Sequence, residues 1–305
     1  MSVAAPLRAL LGDYPVTRAM KEGRVRSDRV RLEFAPGASP IPHFRRAVRE
    51  LEFDVAELAL VTFLMARDRG APLALLPAVV VARFQHPLLV QAAARPALAP
   101  RELEGRRIGV RSYSVTTGMW IRSILAEDHG VDCSRVQWVT FEEPHVADFR
   151  DPSNVERAPA GKDMIAMLLA GELDAAIVAE RALPDPRLAS VIPDPAAAAA
   201  AWHEKHRAVQ INHMVVVKES LARSDPDAVR EVYRLLAESR EAAGAPELNP
   251  FGWEANRRSL EVALERIWRQ RLVSRRYALD ELFDDTTRTL SASPPPDAAS
   301  RGLRS

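Results

Sequence analysis

The chain has 305 residues, 47% hydrophobic and 27% charged, a balance that suits a soluble globular protein of about two domains. Lys+Arg of 42 against Asp+Glu of 41 leaves a net charge of +1, without the basic excess a nucleic-acid binder would show. Cys133 is the only cysteine, which excludes an intramolecular disulfide or multi-cysteine zinc site, and no run of about 18 apolar residues offers a membrane span.

Short apolar segments alternate with helical patterns. Residues 7–11 read as a first strand, 43–51 as a helix, 54–58 as a buried strand and 61–68 as a helix. The β-branched runs 73–84 and 87–91 read as strands. A short helical turn at 98–105 leads into a strand at 107–111. The helix 115–128 follows, with Gly130 as its left-handed stop. Strands at 136–140, 174–178 and 211–218 and helices at 162–170 and 196–205 complete the middle, around a proline- and aspartate-rich loop at 184–195. From 227 the chain is nearly all helix (227–240 and 255–271), and beyond 291 a Ser-Pro-Pro-Pro-Asp tail is expected to be disordered.

Leu51-Glu52-Phe53-Asp54-Val55-Ala56 is echoed by Gly171-Glu172-Leu173-Asp174-Ala175-Ala176. In each, a helix ends, an acidic turn follows and a buried strand begins. The spacing is too long for a solenoid, so two similar α/β lobes with mostly parallel sheets are expected. Ligands of open α/β sheets bind beyond the carboxyl ends of the strands, which places the site between the lobes.

Several groups fall at such positions. Asp13, Tyr14, Thr17 and Arg18 follow the first strand, and Arg18 suits a bidentate clamp on a carboxylate. Because only four of the basic residues are lysines, a single arginine is weak evidence. Ser112, Ser114, Thr116 and Thr117 surround a helix start, where free N–H groups and the helix dipole attract anions. The loop lacks the P-loop pattern, which favours a carboxylate over ATP. Glu57 stands in an otherwise apolar strand, and desolvation there suits a general acid. His86 and His213, at strand ends, are further proton-donor candidates. Ordinary capping, ion pairing and structural hydrogen bonding are the alternative explanations of these residues, and they weigh most for the two histidines. Glu142-Glu143-Pro144-His145 lines the cleft or forms a solvated loop; the residues leave this open. No signature of a nucleotide, metal or other cofactor is present.

Together these segments resemble the 4,5-dihydroxyphthalate decarboxylase family. The resemblance rests on Asp13-Tyr14-x-x-Thr17-Arg18-Ala19, Phe53-Asp54-Val55-Ala56-Glu57-Leu58, Arg83-Phe84-x-His86, Trp120-Ile121-Arg122, Met167-Leu168-x-x-Gly171-Glu172-Leu173-Asp174-Ala175, His213-x-Val215-Val216 and Pro250-Phe251-Gly252. It implies an α/β, two-lobe, type 2 periplasmic-binding-protein architecture. Lobe I would be residues 1–100 plus 210–290, lobe II residues 101–209, and 291–305 the tail. It adds Arg83 to the substrate contacts. Where the family reads Thr-Ala-Arg, this chain has Val178-Ala179-Glu180-Arg181, which brings Glu180 to the same place. The implied activity is cofactor-free, non-oxidative decarboxylation of a hydroxylated aromatic acid. Glu57, His86 or His213 would protonate the ring. The alternatives are a solute-binding protein of the same fold and a menaquinone-pathway lyase such as chorismate dehydratase. The expected partner is a small aromatic or organic carboxylate. No convincing secretory leader is legible, so the cytoplasm is expected. Oligomeric state leaves no mark in the sequence.

Overall fold

The computed structural model describes residues 6–291, so the expected tail lies outside the described residues apart from Ser291. The strands are β1 (Leu7–Leu10), β2 (Leu32–Phe34), β3 (Val55–Ala59), β4 (Leu73–Ala82), β5 (Leu89–Ala92), β6 (Arg107–Val110), β7 (Gln137–Thr140), β8 (Val155–Arg157), β9 (Ala175–Ile177), β10 (Leu188–Ser190) and β11 (Ile211–Lys218). The helices are α1 (Pro15–Lys21), α2 (Phe44–Arg49), α3 (Leu60–Asp68), α4 (Thr116–His129), α5 (Met164–Ala170), α6 (Pro195–His206), α7 (Glu219–Ser224), α8 (Pro226–Ala242) and α9 (Trp253–Arg269). None is long and apolar enough to cross a membrane among the described residues.

The strands form two mixed sheets, ordered β2-β1-β3-β11-β4 and β10-β5-β9-β6-β7-β8. Each has a parallel core, β2-β1-β3 in one and β9-β6-β7-β8 in the other. The antiparallel partners β11, β4, β5 and β10 flank the crossings between lobes. In the first sheet Leu10, Leu58, Leu75 and Met214 face one apolar core, which takes in α2, α3 and α9. Ala9, Val55, Leu76 and Val215 face another, with α1 and α8. Burial on both faces explains the near-continuous apolar runs of β3, β4 and β11. Pro77 is tolerated because β4 is an edge strand.

The sequence echo has a structural cause. Asp54 accepts from the Arg8 N–H at 2.9 Å and donates its own N–H to the Arg8 carbonyl. Asp174 makes the same reciprocal pair with Arg107, at 3.0 Å. In each lobe an aspartate thus locks the start of one strand to its parallel neighbour. Just before each turn the chain needs a left-handed residue. Gly171 supplies it freely at φ 79°, and Leu51 adopts it at φ 50°.

Three expectations change. The first crossing falls at residues 83–88 and not at the expected boundary of 100/101, because β5 pairs with β9 and β10 of the second sheet. The run 87–91 divides into a 3₁₀ turn (His86–Leu88) and β5. The loop 184–195 contains the edge strand β10, whose three residues are too few for a periodic signal. The crossing segments are tied together. Gln210 Oε1 accepts from the Gln85 N–H at 2.7 Å, the Gln210 carbonyl accepts from the Arg83 N–H, and Trp120 Nε1 on α4 donates to the Ile211 carbonyl.

Candidate active site

The cleft between the sheets holds a cavity of about 420 Å³, lined from both lobes. From the first come Ile41, Ala59, Arg83, Asn212 and His213. From the second come Arg111, Thr116, Thr117, Glu142, His145, Lys162, Glu180 and Arg181.

β3 and β11 build its floor. They run antiparallel with Val215 opposite Glu57 and His213 opposite Ala59, so Glu57 and His213 are diagonal neighbours. His213 Nδ1 lies 2.6 Å from Glu57 Oε1. The same oxygen accepts from the Tyr14 hydroxyl at 2.9 Å, and Oε2 accepts from the Gly12 N–H at 2.9 Å. Glu57 is wholly buried and does not line the cavity. With acceptor bonds on both oxygens, it orients His213 rather than acting as the proton donor expected of it. Burial, then the neighbouring Glu57, drives the Tyr14 phenol far above its ordinary range, so the proton stays on the Tyr14 oxygen and is donated to Glu57.

The 12–17 turn is shaped for this task. Thr17 Oγ1 donates to the Gly12 carbonyl at 2.6 Å and accepts from the Tyr14 N–H at 3.1 Å. A Cβ on Gly12 would stand 2.6 Å from the Tyr14 ring, so only glycine lets the ring lie over it toward Glu57. Thr17 is therefore a structural pin and not a substrate contact. Arg18, on the outward side of α1, is exposed and away from the cavity, and Asp13 is exposed and paired with Lys21. Neither fills the ligand role expected of it.

The opposite wall carries a helix start. α4 begins at Thr116 behind Val115, with no side-chain cap and no acid in its first turn. α3, behind Ala59, has no cap from its own N-cap residue. The two meet where Thr116 Oγ1 accepts from the Val61 N–H at 3.1 Å. Thr116 thus caps α3, and the start of α4 is the uncapped helix N-terminus that opens on the cavity, a geometry suited to an anion. Thr116 and Thr117 line it. Ser112 and Ser114 are buried behind the lining, 3.5 Å apart, and do not reach the cavity. Arg111 pairs with Glu142 at 2.9 Å. Arg83 reaches across the cleft to Glu180 at 2.6 Å, while its buried Nε has no acceptor among the described residues.

Two histidines line the cavity, and Phe44 meets both edge-on, with each pair of ring centres 5.4 Å apart. His145 Nδ1 bonds Thr62 Oγ1 at 2.8 Å. Burial, then Arg111 and Arg45, pushes it down to about 3, so it stays neutral near pH 7. His86 lies outside the cavity, buried in its 3₁₀ turn and answering to Asp128 and His129 at the far end of α4; burial pushes it down to about 4. It is no proton donor for the cleft. His213 is left, with Nδ1 held by Glu57 and Nε2 as the ring nitrogen free to act in the cavity. Beside it, Asn212 is 5% exposed and its Oδ1 has no partner among the described residues. Strand alternation would point Asn212 away from His213's side, but the register of β11 against β4 shifts on either side of His213 and both line the cavity. No group of three or more His, Cys, Asp or Glu that could hold a metal ion occurs among the described residues.

The neutral histidines set an acid limit on stability. Unfolded, each titrates near the ordinary ~6.5. Folded, each takes its proton only near 4 or 3. The unfolded chain thus binds more protons as pH falls, and stability present above pH ~6.5 is lost below it. The melting temperature should fall from pH 7 to pH 5, and His86→Leu should flatten that slope. An unchanged slope would remove His86 as a cause.

A two-lobe α/β protein with a carboxylate-oriented histidine facing the cavity between the lobes is thus the class defined by fold and site. No family model matches the chain. It is 31% identical over 210 residues to the 4,5-dihydroxyphthalate decarboxylase of Pseudomonas putida, covering 65% of this chain and 81% of that protein. It is 29% identical over 239 residues to the protein of the same name from Comamonas testosteroni, covering 72% and 70%. The chain belongs to the 4,5-dihydroxyphthalate decarboxylase family. Its fold is that of the periplasmic binding proteins. The aliphatic sulphonate binding protein SsuA from Escherichia coli superposes with a TM-score of 0.62 over 92% of each chain, at 12% identity.

Proposed function

We propose that the protein is a carboxy-lyase that releases carbon dioxide from a hydroxylated aromatic carboxylate resembling 4,5-dihydroxyphthalate. The observation that carries this is the Glu57–His213 pair, which leaves the ring's Nε2 free beside a cavity onto which the bare start of α4 opens. Family membership supports the substrate class.

The N–H groups opening α4 and the guanidinium of Arg83 or Arg111 hold the ring carboxylates. Asn212 Oδ1 accepts from a phenolic hydroxyl. That phenol pushes electron density into the ring, and the ring carbon bearing a carboxylate takes the proton from protonated His213 Nε2. The C–C bond then breaks, its electron pair returns to the ring and restores aromaticity, and carbon dioxide leaves. One proton is consumed per turnover, and His213 regains it from solvent. Glu57 keeps the imidazole oriented throughout. The Arg83–Glu180 pair across the cleft helps close the lobes over the ligand and exclude water.

The second reading is a solute-binding protein, favoured by the likeness in fold to SsuA. Incubation with 4,5-dihydroxyphthalate separates the two. The lyase yields one carbon dioxide and one 3,4-dihydroxybenzoate per substrate consumed. Saturable binding with the substrate recovered intact would sink the lyase reading.

A further inference from the structure

A second cavity, of about 710 Å³, lies between α4, α9 and the loops near Cys133 and Phe149. It shares no lining residue with the cleft. Five arginines line it, Arg122, Arg150, Arg266, Arg269 and Arg271, against the acids Glu127 and Asp132. Two of the five are matched: Arg266 pairs with Glu127, and Arg269 with Glu265. Arg150 and Arg271 form no side-chain ion pair among the described residues, and both are exposed.

Arg122 is the telling group. It is 2% exposed, and neither Nη1 nor Nη2 has a hydrogen-bond partner among the described residues. Only its Nε is satisfied, by Gln270 Oε1 at 2.8 Å. The guanidinium lies 3.9 Å from the centre of the Tyr113 ring and 5.6 Å from that of Trp138. Stacking supplies attraction but no acceptor. Asp151, whose charge reaches Arg122, makes no bond to it and has its own buried, unpartnered Oδ1. A buried guanidinium without an acceptor is costly unless something completes it. The apolar parts of the lining, Tyr113, Val131, Phe149 and Pro152, favour a flat hydrocarbon body over a bare inorganic ion.

We infer that this cavity is a second anion site, taking a small aryl carboxylate against Arg122, with Arg150 and Arg271 at its rim. The inference does not rest on turnover in the cleft. The test is calorimetric titration of the full chain with phthalate alone. The wild type takes up two equivalents. The Arg150→Gln/Arg271→Gln variant breaks no intramolecular pair; it keeps the cleft equivalent and its turnover, and weakens the other by about tenfold. Asn212→Trp, which fills the cleft, loses the cleft equivalent and retains this one. A single equivalent in the wild type, removed by Asn212→Trp and untouched by the double variant, would overturn the inference while leaving the cleft reading intact.

Discussion

His213→Gln is expected to lower kcat by about 10³-fold while leaving KM within a few-fold, the range that a positioned acid contributes. Glutamine approximates the size of the ring and can still accept or donate, so the floor of the cavity stays filled. It has no proton of suitable acidity to give to carbon. His145 cannot take over, because burial and the arginines around it keep it neutral. In the proposed binding mode the substrate's carboxylates are held elsewhere, by the start of α4 and by Arg83 or Arg111, so affinity is expected to survive. Steady-state kinetics on 4,5-dihydroxyphthalate check this. A large rise in KM with kcat preserved would make His213 a binding residue and not the acid.

Glu57→Gln is the second large effect, and it strikes both activity and stability. Three donors converge on this carboxylate: the Gly12 N–H, the Tyr14 hydroxyl and His213 Nδ1. A glutamine offers one oxygen and must turn its amide N–H groups toward a remaining donor. At least one buried donor is left unpaired, at a cost of about 1–3 kcal/mol. The imidazole also loses its fixed tautomer and orientation, and kcat should fall about 10²-fold. Glu57→Asp keeps the charge on a shorter stem and should recover part of the rate. Thermal melts and kinetics on the two variants separate the roles. If Glu57→Gln melts like the wild type at full rate, the pair has no function.

Much of this site was legible residue by residue, but not its assembly. Glu57 stood out because a carboxylate in an apolar strand must have partners. Tyr14 and His213 stood out as polar groups at strand ends. That all three form one network depends on the β3–β11 register, which joins residues 156 apart in the chain and leaves no local trace. Arg18 was misplaced for a reason the sequence does contain. Val16, Thr17, Ala19 and Met20 make the buried face of α1, which turns Arg18 outward. Asn212 was missed because period-2 alternation puts it opposite His213, and only the irregular pairing of β11 brings both to the cavity. The two-lobe plan was readable because the Asp54 and Asp174 turns perform the same local task, pinning a strand start, and so look alike. The position of the first crossing was not, because β5 is as apolar as β4 and nothing local says which sheet it joins.

The most direct measurement is the reaction of 4,5-dihydroxyphthalate run in D₂O and followed by proton NMR, with released carbon dioxide counted alongside. A proton delivered from the His213 side predicts 3,4-dihydroxybenzoate carrying one deuterium, on the carbon that lost its carboxylate, and one carbon dioxide per molecule. Undiminished deuteration by His213→Gln, or a ligand that binds and never changes, would contradict it.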